Sequence, residues 1–257
     1  MSSQLTFSIN EPAKEFIKLN SDTVKTVNRP PGVNFYVARW DAKNLGIANF
    51  THPNNSFVIT NVLSVTAADD MHSPEEGLVH FSINAGISAD EFITHDEARV
   101  GFIKVLQMIR RSGWEVFISE GDPRLRGKDM LNFALIQSPS SSLDADYHPT
   151  FDEWMKIPSN TRWSFYGEDV YLSIEFMREP TMLDPEKPGS YLITYTFESE
   201  NEHYRNYVEP EQRVHWRESL LRQFSTLPIL REKTEAELGS RGIKIDTQYR
   251  GPKAPEL

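Results

Sequence analysis

The seven histidines, and the acidic residues beside some of them, are the groups of this chain that can do acid–base or metal chemistry. His95-Asp96-Glu97 places an imidazole next to two carboxylates, the residue types that general acid–base catalysis uses. The triplet also opens an amphipathic segment, and Asp and Glu in a first helical turn complement the positive helix end and cap free amides. We therefore interpret His95-Asp96-Glu97 as the start of a helix and not as a catalytic group.

A second acidic cluster surrounds His72. The segment His72-Ser73-Pro74-Glu75-Glu76 approaches the inverted zinc-protease pattern H-x-x-E-H, but Glu76 stands where the second histidine is needed and Pro74 prevents a regular helix. The preceding Asp69-Asp70 lacks the alternating oxygen ligands, glycine and distal Glu of a calcium loop. The sequence favours a solvated acidic loop, and we predict no metal site.

Other catalytic patterns are absent from the sequence. Without cysteine, the chain has no disulfides, cysteine zinc sites or thiol catalysis. It contains no G-x-S-x-G, G-x-G-x-x-G or Walker pattern, and the proline in Asp184-Pro185-Glu186-Lys187 makes that segment a poor nuclease strand. We predict no catalytic residue, no cofactor and no enzyme activity. An enzyme with an unrecognised acid–base site stays the alternative.

Composition and charge exclude further classes. The 257 residues are 39% hydrophobic and 11% aromatic, enough for a substantial core. The net charge of −10 argues against nucleic-acid binding and suits either a basic protein partner or plain solubility. No run approaches the ~18 apolar residues of a membrane span, and residues 1–6 do not resemble a signal peptide. We expect no membrane span, and a cytoplasmic location unless an export signal has been removed, in which case the location is periplasmic.

Capping signals and apolar periodicity locate the helices that must position these groups. Thr94 and Glu97 form a capping box, and apolar residues then recur at helical spacing up to Gly113, which is placed to end the helix. Thr150 and Glu153 form a second capping box before a short helix. We expect further helices over residues 128–135, 210–224 and 229–238, with Pro228 interrupting or restarting the last of these.

Strands are expected where β-branched and aromatic residues alternate with polar ones. The best candidates are residues 34–40, 56–65, 77–84, 114–118, a hairpin over 162–176, and 190–197. The pattern predicts an α+β fold of antiparallel strand layers with packed helices, in two similar-sized halves. Residues 1–137 form the first half, 138–149 a polar linker-like segment, and 150–257 a β-meander followed by a long helix.

Three features of the sequence suit a surface that binds another protein. A loop bounded by glycine and proline carries three cations, aromatic residues cluster in the second half, and glutamates flank a tyrosine-rich stretch. The alternatives are that the arginines pair with nearby carboxylates and that the aromatic residues fill the core. The candidate partner-binding residues are Asp122, Arg124, Arg126, Lys128, Trp163, Tyr166, Glu200, Glu202 and Tyr204.

An ordered set of segments runs through residues 75–250. It comprises Thr94-His95-Asp96-Glu97-Ala98, Ser112-Gly113-Trp114, Asp122-Pro123-Arg124-Leu125 with Gly127, Pro149-Thr150-Phe151-Asp152-Glu153-Trp154-Met155, Arg162-Trp163-Ser164-Phe165-Tyr166, Gly189-Ser190-Tyr191-Leu192, Tyr204-Arg205 with Val208, and Gly242-Ile243-Lys244-Ile245-Asp246 with Tyr249. Together these segments resemble a bacterial family of immunity proteins encoded beside type VI secretion effectors.

The resemblance implies a function without catalysis. A member binds its cognate effector and blocks the active site or the substrate entrance, and the effector is of a phospholipase or nuclease type. A phospholipase effector implies the periplasm and a nuclease effector the cytoplasm. The alternatives are an adaptor or chaperone that carries the effector without silencing it, and the enzyme named above. The sequence does not define the oligomeric state.

Overall fold

The computed structural model describes residues 3–28, 33–71 and 73–253. The strands of the described residues are β1 (Gln4–Phe7), β2 (Lys25–Asn28), β3 (Val33–Arg39), β4 (Gly46–Phe50), β5 (Phe57–Asp70), β6 (Leu78–Gly86), β7 (Glu115–Val116), β8 (Arg162–Gly167), β9 (Val170–Arg178) and β10 (Tyr191–Ser199). The α-helices are α1 (Ala13–Leu19), α2 (His95–Arg111), α3 (Gly127–Ile136), α4 (Phe151–Lys156), α5 (Glu200–Arg205), α6 (Trp216–Phe224) and α7 (Leu227–Ser240). Short 3-10 segments cover Pro74–Glu76 and Pro210–His215.

One mostly antiparallel sheet with packed helices forms the α+β fold, which confirms the predicted fold class. The strand order is β1-β4-β5-β6-β10-β9-β8-β7, and β2 pairs with β3, which pairs with β5. Only β1 and β4 are parallel among the described pairs. The pairing of β6 with β10, from Leu192 opposite Gly86 to Glu198 opposite His80, joins the strands of the two halves into a single sheet.

The segment 138–149, expected to be linker-like, has no helix or strand but is packed against the sheet. Residues 141–145 are buried. The backbone N–H of Leu143 donates to the Arg162 carbonyl at 2.8 Å, and the Ser142 hydroxyl accepts from the Ser164 N–H at 2.8 Å. Because its backbone is bonded along β8, this segment is a fixed connection. The linker-like interpretation is therefore corrected here.

The predicted helix signals match the structure closely. The capping boxes of α2 and α4 are both formed, and Gly113 has a φ of 85°, the left-handed conformation that suits glycine after a helix. The helix expected over 210–224 is instead a 3-10 segment followed by α6, and α7 then begins next to Pro228. Proline is tolerated in a first helical turn because the amide there has no intrahelical partner.

The two faces of the sheet differ in chemistry. One face is apolar and packs against α1, α2, α3 and α4 in the main core, with β10 contributing Ile193, Tyr195 and Phe197. The other face is polar, and a small aromatic cluster containing Tyr171, Tyr204 and Trp216 covers one end of it beneath α5 and α6. No helix of the described residues is long and apolar enough to cross a membrane.

Candidate functional site

The polar face of the sheet is the largest candidate site. Directly paired residues of an antiparallel sheet point to the same side, so the strand register assigns three rows to this face. The central row is Lys25, Val37, Thr66, Ser82, Thr196, Ser173 and Ser164; one flanking row is Arg39, Ser64, Asn84, Thr194, Glu175 and Arg162; the other is Val27, Phe35, Ala68, His80, Glu198, Tyr171 and Tyr166. We call these three rows the open face.

The middle of the open face carries short uncharged side chains. The Asn84 amide donates to the Ser64 hydroxyl at 3.1 Å, and the Thr194 hydroxyl donates to the Asn84 carbonyl oxygen at 2.9 Å. Ser82 and Thr196 lie beside this chain in the central row and are half-buried. A polar face is common on an antiparallel sheet, but serine, threonine and asparagine across four strands also let another surface come close to the backbone.

Charged groups and cavities lie at the two ends of the open face. At the β2–β3 end, Lys25 and Arg39 border a cavity of about 580 Å³ together with Phe35 and Val37. At the other end, Arg162 donates to Glu175 at 3.0 Å beside a cavity of about 450 Å³. The open face is therefore concave at both ends and uncharged between them.

No family model, curated protein or solved structure matches this chain. The resemblance to type VI immunity proteins therefore stays a prediction.

The cationic loop predicted to bind a partner is pinned to the protein. Arg124 donates to both carboxylate oxygens of Glu235 on α7, at 2.9 and 2.7 Å. The second loop arginine, Arg126, pairs with Asp246 at 2.8 Å and with Asp144 at 3.6 Å. These ion pairs compensate both guanidinium charges internally.

The flanks of the same loop are occupied as well. Lys128 pairs with Glu153 at 2.9 Å, and burial raises the pKa of Asp122, whose carboxylate accepts from Ser141. The alternative in which the cations of the loop pair with neighbouring carboxylates thus describes Arg124, Arg126 and Lys128.

Two of the predicted partner-binding aromatic residues are core residues. Trp163 is 2% exposed and its ring centroid lies 4.7 Å from that of Phe102 on α2. Tyr204 is fully buried, and its hydroxyl lies 2.8 Å from that of Tyr171. Side chains enclosed in this way cannot touch a partner in the observed conformation, so the prediction for these two residues is wrong.

The remaining predicted residues lie at or near the covered end of the open face. Tyr166 is half-buried within the face itself. Glu202 already accepts from Arg213, and its other oxygen lies 3.5 Å from Arg205. Glu200 is half-exposed, and burial with the nearby Asp169 charge raises its pKa. Tyr166 and Glu200 are thus the predicted residues that a partner on this face can reach.

His95 is more than a helix start, because its side chain is 1% exposed. Arg178 donates from Nε to the Tyr191 hydroxyl at 3.1 Å, which leaves that hydroxyl to donate to His95 Nδ1. The His95 Nε2–H then donates to the Asp184 carbonyl at 3.1 Å. Burial lowers the pKa of His95, and the Arg178 charge adds to this.

Arg178 in this chain is itself buried. Its guanidinium donates to the carbonyls of Trp154 and Met155, and no carboxylate among the described residues lies within 4.0 Å of it. Arg178 and Tyr191 also line a cavity of about 320 Å³. A phenol and a cation thus line a cavity, and the phenol is hydrogen-bonded to a buried imidazole, an arrangement capable of proton transfer.

One group of side chains among the described residues has the spacing of a metal site. His52 Nε2 lies 3.4 Å from Asp169 and 3.8 Å from Glu168. The Asn54 backbone N–H points to His52 Nδ1 at 3.4 Å, so a neutral ring carries its proton on Nε2 and donates to Asp169. Hydrogen bonding accounts for the group, although its oxygen and nitrogen atoms are those that zinc prefers.

The acidic groups near His72 do not join His95. Asp69 accepts from Tyr36 at 2.9 Å and from the Asn34 side chain at 3.0 Å. His72 itself lies outside the described residues, but Pro74–Glu76 form a 3-10 segment in which Glu76 pairs with the buried Arg205 at 2.6 Å, so the prediction of a merely solvated loop does not describe Glu76. The Asp69 carboxylate is thus engaged in cross-strand hydrogen bonds to β3.

Proposed function

We propose that this protein is an immunity protein that binds a cognate type VI secretion effector through the open face and occludes the effector's active site or substrate entrance. The observation that carries the proposal is the uncharged centre of the open face, where Ser64, Ser82 and Asn84 stand side by side and are half-buried. Hydroxyl and amide groups both donate and accept, so they can pair with a partner's backbone and side chains.

The size of the open face fits part of a specific protein interface. Seven strands at about 4.8 Å spacing span about 29 Å, and three rows cover about 13 Å along each strand, which gives about 400 Å². A stable complex buries about 800 Å² on each partner. The open face therefore supplies about half of the interface, and the rim supplies the rest, including Glu200 and the β2–β3 end.

The charge distribution also suits a partner with a basic surface. The chain carries a net charge of −10, which attracts a cationic partner over a distance comparable to the screening length in physiological salt. The proposed effector is of a phospholipase or nuclease type, and the compartment follows it: the periplasm for a phospholipase, the cytoplasm for a nuclease.

The test is co-expression with the product of the neighbouring gene in a bacterial host. We expect restored growth, a complex that co-purifies and an effector whose enzymatic activity is suppressed within that complex. A complex in which the effector stays fully active would instead identify an adaptor or chaperone. Absence of both rescue and complex would refute binding altogether.

An acid–base enzyme is the second candidate, and the His95–Tyr191–Arg178 chain favours it. The three groups have consistent donor and acceptor roles, and Arg178 and Tyr191 line a cavity. Its test is a screen of hydrolase and lyase substrates with the wild type and Tyr191→Phe. An activity that Tyr191→Phe abolishes while the fold is retained would support it, and neutralisation of an effector by Tyr191→Phe would argue for the binding function.

A further inference from the structure

The cavity at the covered end of the open face has an unusual set of walls. It measures about 450 Å³, within the range of ligand pockets. Ser164, Ser173 and Thr196 belong to the sheet and form one central-row stretch, while His203 on α5 stands over the same end. We call this cavity the His203 pocket.

Two carboxylates flank the hydroxyl stretch. Glu175 on β9 is paired with Thr194 on β10, and Glu198 lies four residues after Thr194 on β10. The Thr196–Ser173 pair is midway between these two positions. At about 3.3 Å per residue, each carboxylate-bearing position is therefore about 7 Å along the strand from the central hydroxyl pair. A group bound over Thr196 and Ser173 lies between two acidic side chains.

The two carboxylates of the His203 pocket have different partners. Arg162 donates to Glu175 and offsets that carboxylate. Glu198 accepts from the Asn206 side chain at 2.8 Å and lies 3.4 Å from His203 Nδ1. Although burial opposes ionisation, the bond to His203 and the neighbouring positive groups hold the pKa of Glu198 below its usual value. The carboxylate is therefore ionised, and no guanidinium or ammonium of the described residues bonds to it.

The polar groups of the pocket are mostly acceptors with capacity to spare. Serine and threonine hydroxyls each offer two lone pairs, and a carboxylate oxygen accepts more than one hydrogen bond. His203 Nε2 is buried without a hydrogen-bond partner among the described residues, and such orphaned groups are uncommon in native proteins. Guanidinium and ammonium groups carry only donors, so they match these acceptors and the Glu198 carboxylate, whose own bonds come from an amide and an imidazole.

From this geometry we infer that the His203 pocket receives a lysine or arginine side chain of the bound protein partner. This inference rests on the proposed function and names the partner's chemistry at one end of the same surface. The inserted cation lies over Thr196 and Ser173, donates to Glu198 and places a permanent positive charge beside that carboxylate. A basic anchor in a partly enclosed pocket fixes the register of the complex on an otherwise uncharged face.

The experiment uses agmatine, which carries a guanidinium and an ammonium group at the two ends of a four-carbon chain, as the probe. Binding to the full chain is followed by NMR titration in low salt, with 1-butanol and glucose as uncharged probes. We expect agmatine to bind with a Kd of about 1 mM, which corresponds to about 4 kcal/mol, and its chemical-shift changes to be confined to residues of the pocket. Glucose binding in its place would overturn the inference and identify a saccharide pocket.

The variant Glu198→Gln keeps the size of the side chain and removes its charge. It is expected to weaken agmatine binding about 10-fold, consistent with loss of one charged hydrogen bond. Glu186→Gln removes the same charge from an exposed loop residue and is the control, with less than about a 2-fold effect. Equal effects of the two variants would overturn the inference.

A second variant covers the case in which Glu198→Gln does not fold. Ser173→Lys places an ammonium group inside the pocket and is expected to abolish agmatine binding while Glu198 remains. Unchanged agmatine binding to this variant would contradict the inference. Failure of agmatine to bind, with effector neutralisation intact, refutes the pocket inference alone, whereas agmatine binding without neutralisation refutes the proposed function alone.

Discussion

Removal of the Tyr191 hydroxyl is expected to destabilise the protein strongly, because two buried polar groups depend on it. In Tyr191→Phe, the Nε–H of Arg178 loses its acceptor and Nδ1 of His95 loses its donor. Arg178 is 6% exposed and His95 is 1% exposed, so water does not readily replace either bond. At about 1–3 kcal/mol for each of the two unsatisfied buried groups, the free energy of unfolding falls by about 2–6 kcal/mol.

The matched control is Tyr195→Phe, on the same strand and the same face of the sheet. Tyr195 is 3% exposed, and its hydroxyl makes no hydrogen bond within the described part of the chain. Its loss is expected to cost less than about 1 kcal/mol. Urea unfolding followed by tryptophan fluorescence measures both variants, and for a chain of this size the Tyr191→Phe melting temperature should fall by roughly 5–15 °C. Equal stabilities of the two variants would refute the account of the buried chain.

Three further predictions concern stability. Because burial lowers the pKa of His95 in the folded protein, the imidazole is protonated in the unfolded chain first as the pH falls below about 6.5. The free energy of unfolding should therefore drop between pH 7 and pH 5. Urea unfolding at both pH values should show a smaller drop for His95→Asn. Glu153→Ala loses the bonds to Lys128 and to the α4 N-terminus that lower the pKa of Glu153 to about 2. The substitution should lower the free energy of unfolding by about 1–3 kcal/mol at pH 7, and this loss should shrink as the pH falls from 5 towards 2. A loss that stays constant over this pH range would contradict the prediction. Gly189→Ala places a Cβ 2.7 Å from His95 Cε1 and should cost about 1–3 kcal/mol by thermal melting, whereas Gly239→Ala, which meets nothing within 4 Å, should be neutral or stabilising.

Local signals in the sequence were sufficient for most elements of the fold. The capping boxes at Thr94 and Thr150, the left-handed Gly113 and the alternating residues of β10 each act over a few residues, so they can be read without knowledge of the partner strands. The fold class followed from their order. The short strands β1 and β4 and helix α1 were not predicted, since each has only four to seven residues and weak periodicity.

The candidate site could not be predicted because it depends on strand register and long-range contacts. Thr194, Thr196 and Glu198 could be assigned to one side of β10, but the sequence does not state that Ser82 and Ser173 stand beside Thr196. Likewise Arg124 is compensated by Glu235, a residue 111 positions away. The local sequence of a loop with three cations therefore does not show whether those cations are free or paired with distant carboxylates.

The burial of Trp163 shows the same limit for aromatic residues. Alternation in β8 places Trp163 and Phe165 on one side and Ser164 and Tyr166 on the other, but it does not state which side faces the helices. The covered side is the one that packs against the apolar face of helix α2, where Phe102 contacts Trp163. Partner-binding aromatic residues can be assigned only after the covered face of the sheet is known.

The central claim, that the open face binds the effector, is tested most directly by the Kd of the purified complex measured by calorimetry for two serine-to-arginine variants. Ser82→Arg places a long cation in the uncharged centre of the open face, and Ser240→Arg places the same side chain at the exposed end of α7. The account predicts that Ser82→Arg weakens binding about 100-fold or more, equivalent to about 3 kcal/mol, and that Ser240→Arg changes it less than about 3-fold. Unchanged affinity of a correctly folded Ser82→Arg would contradict the claim.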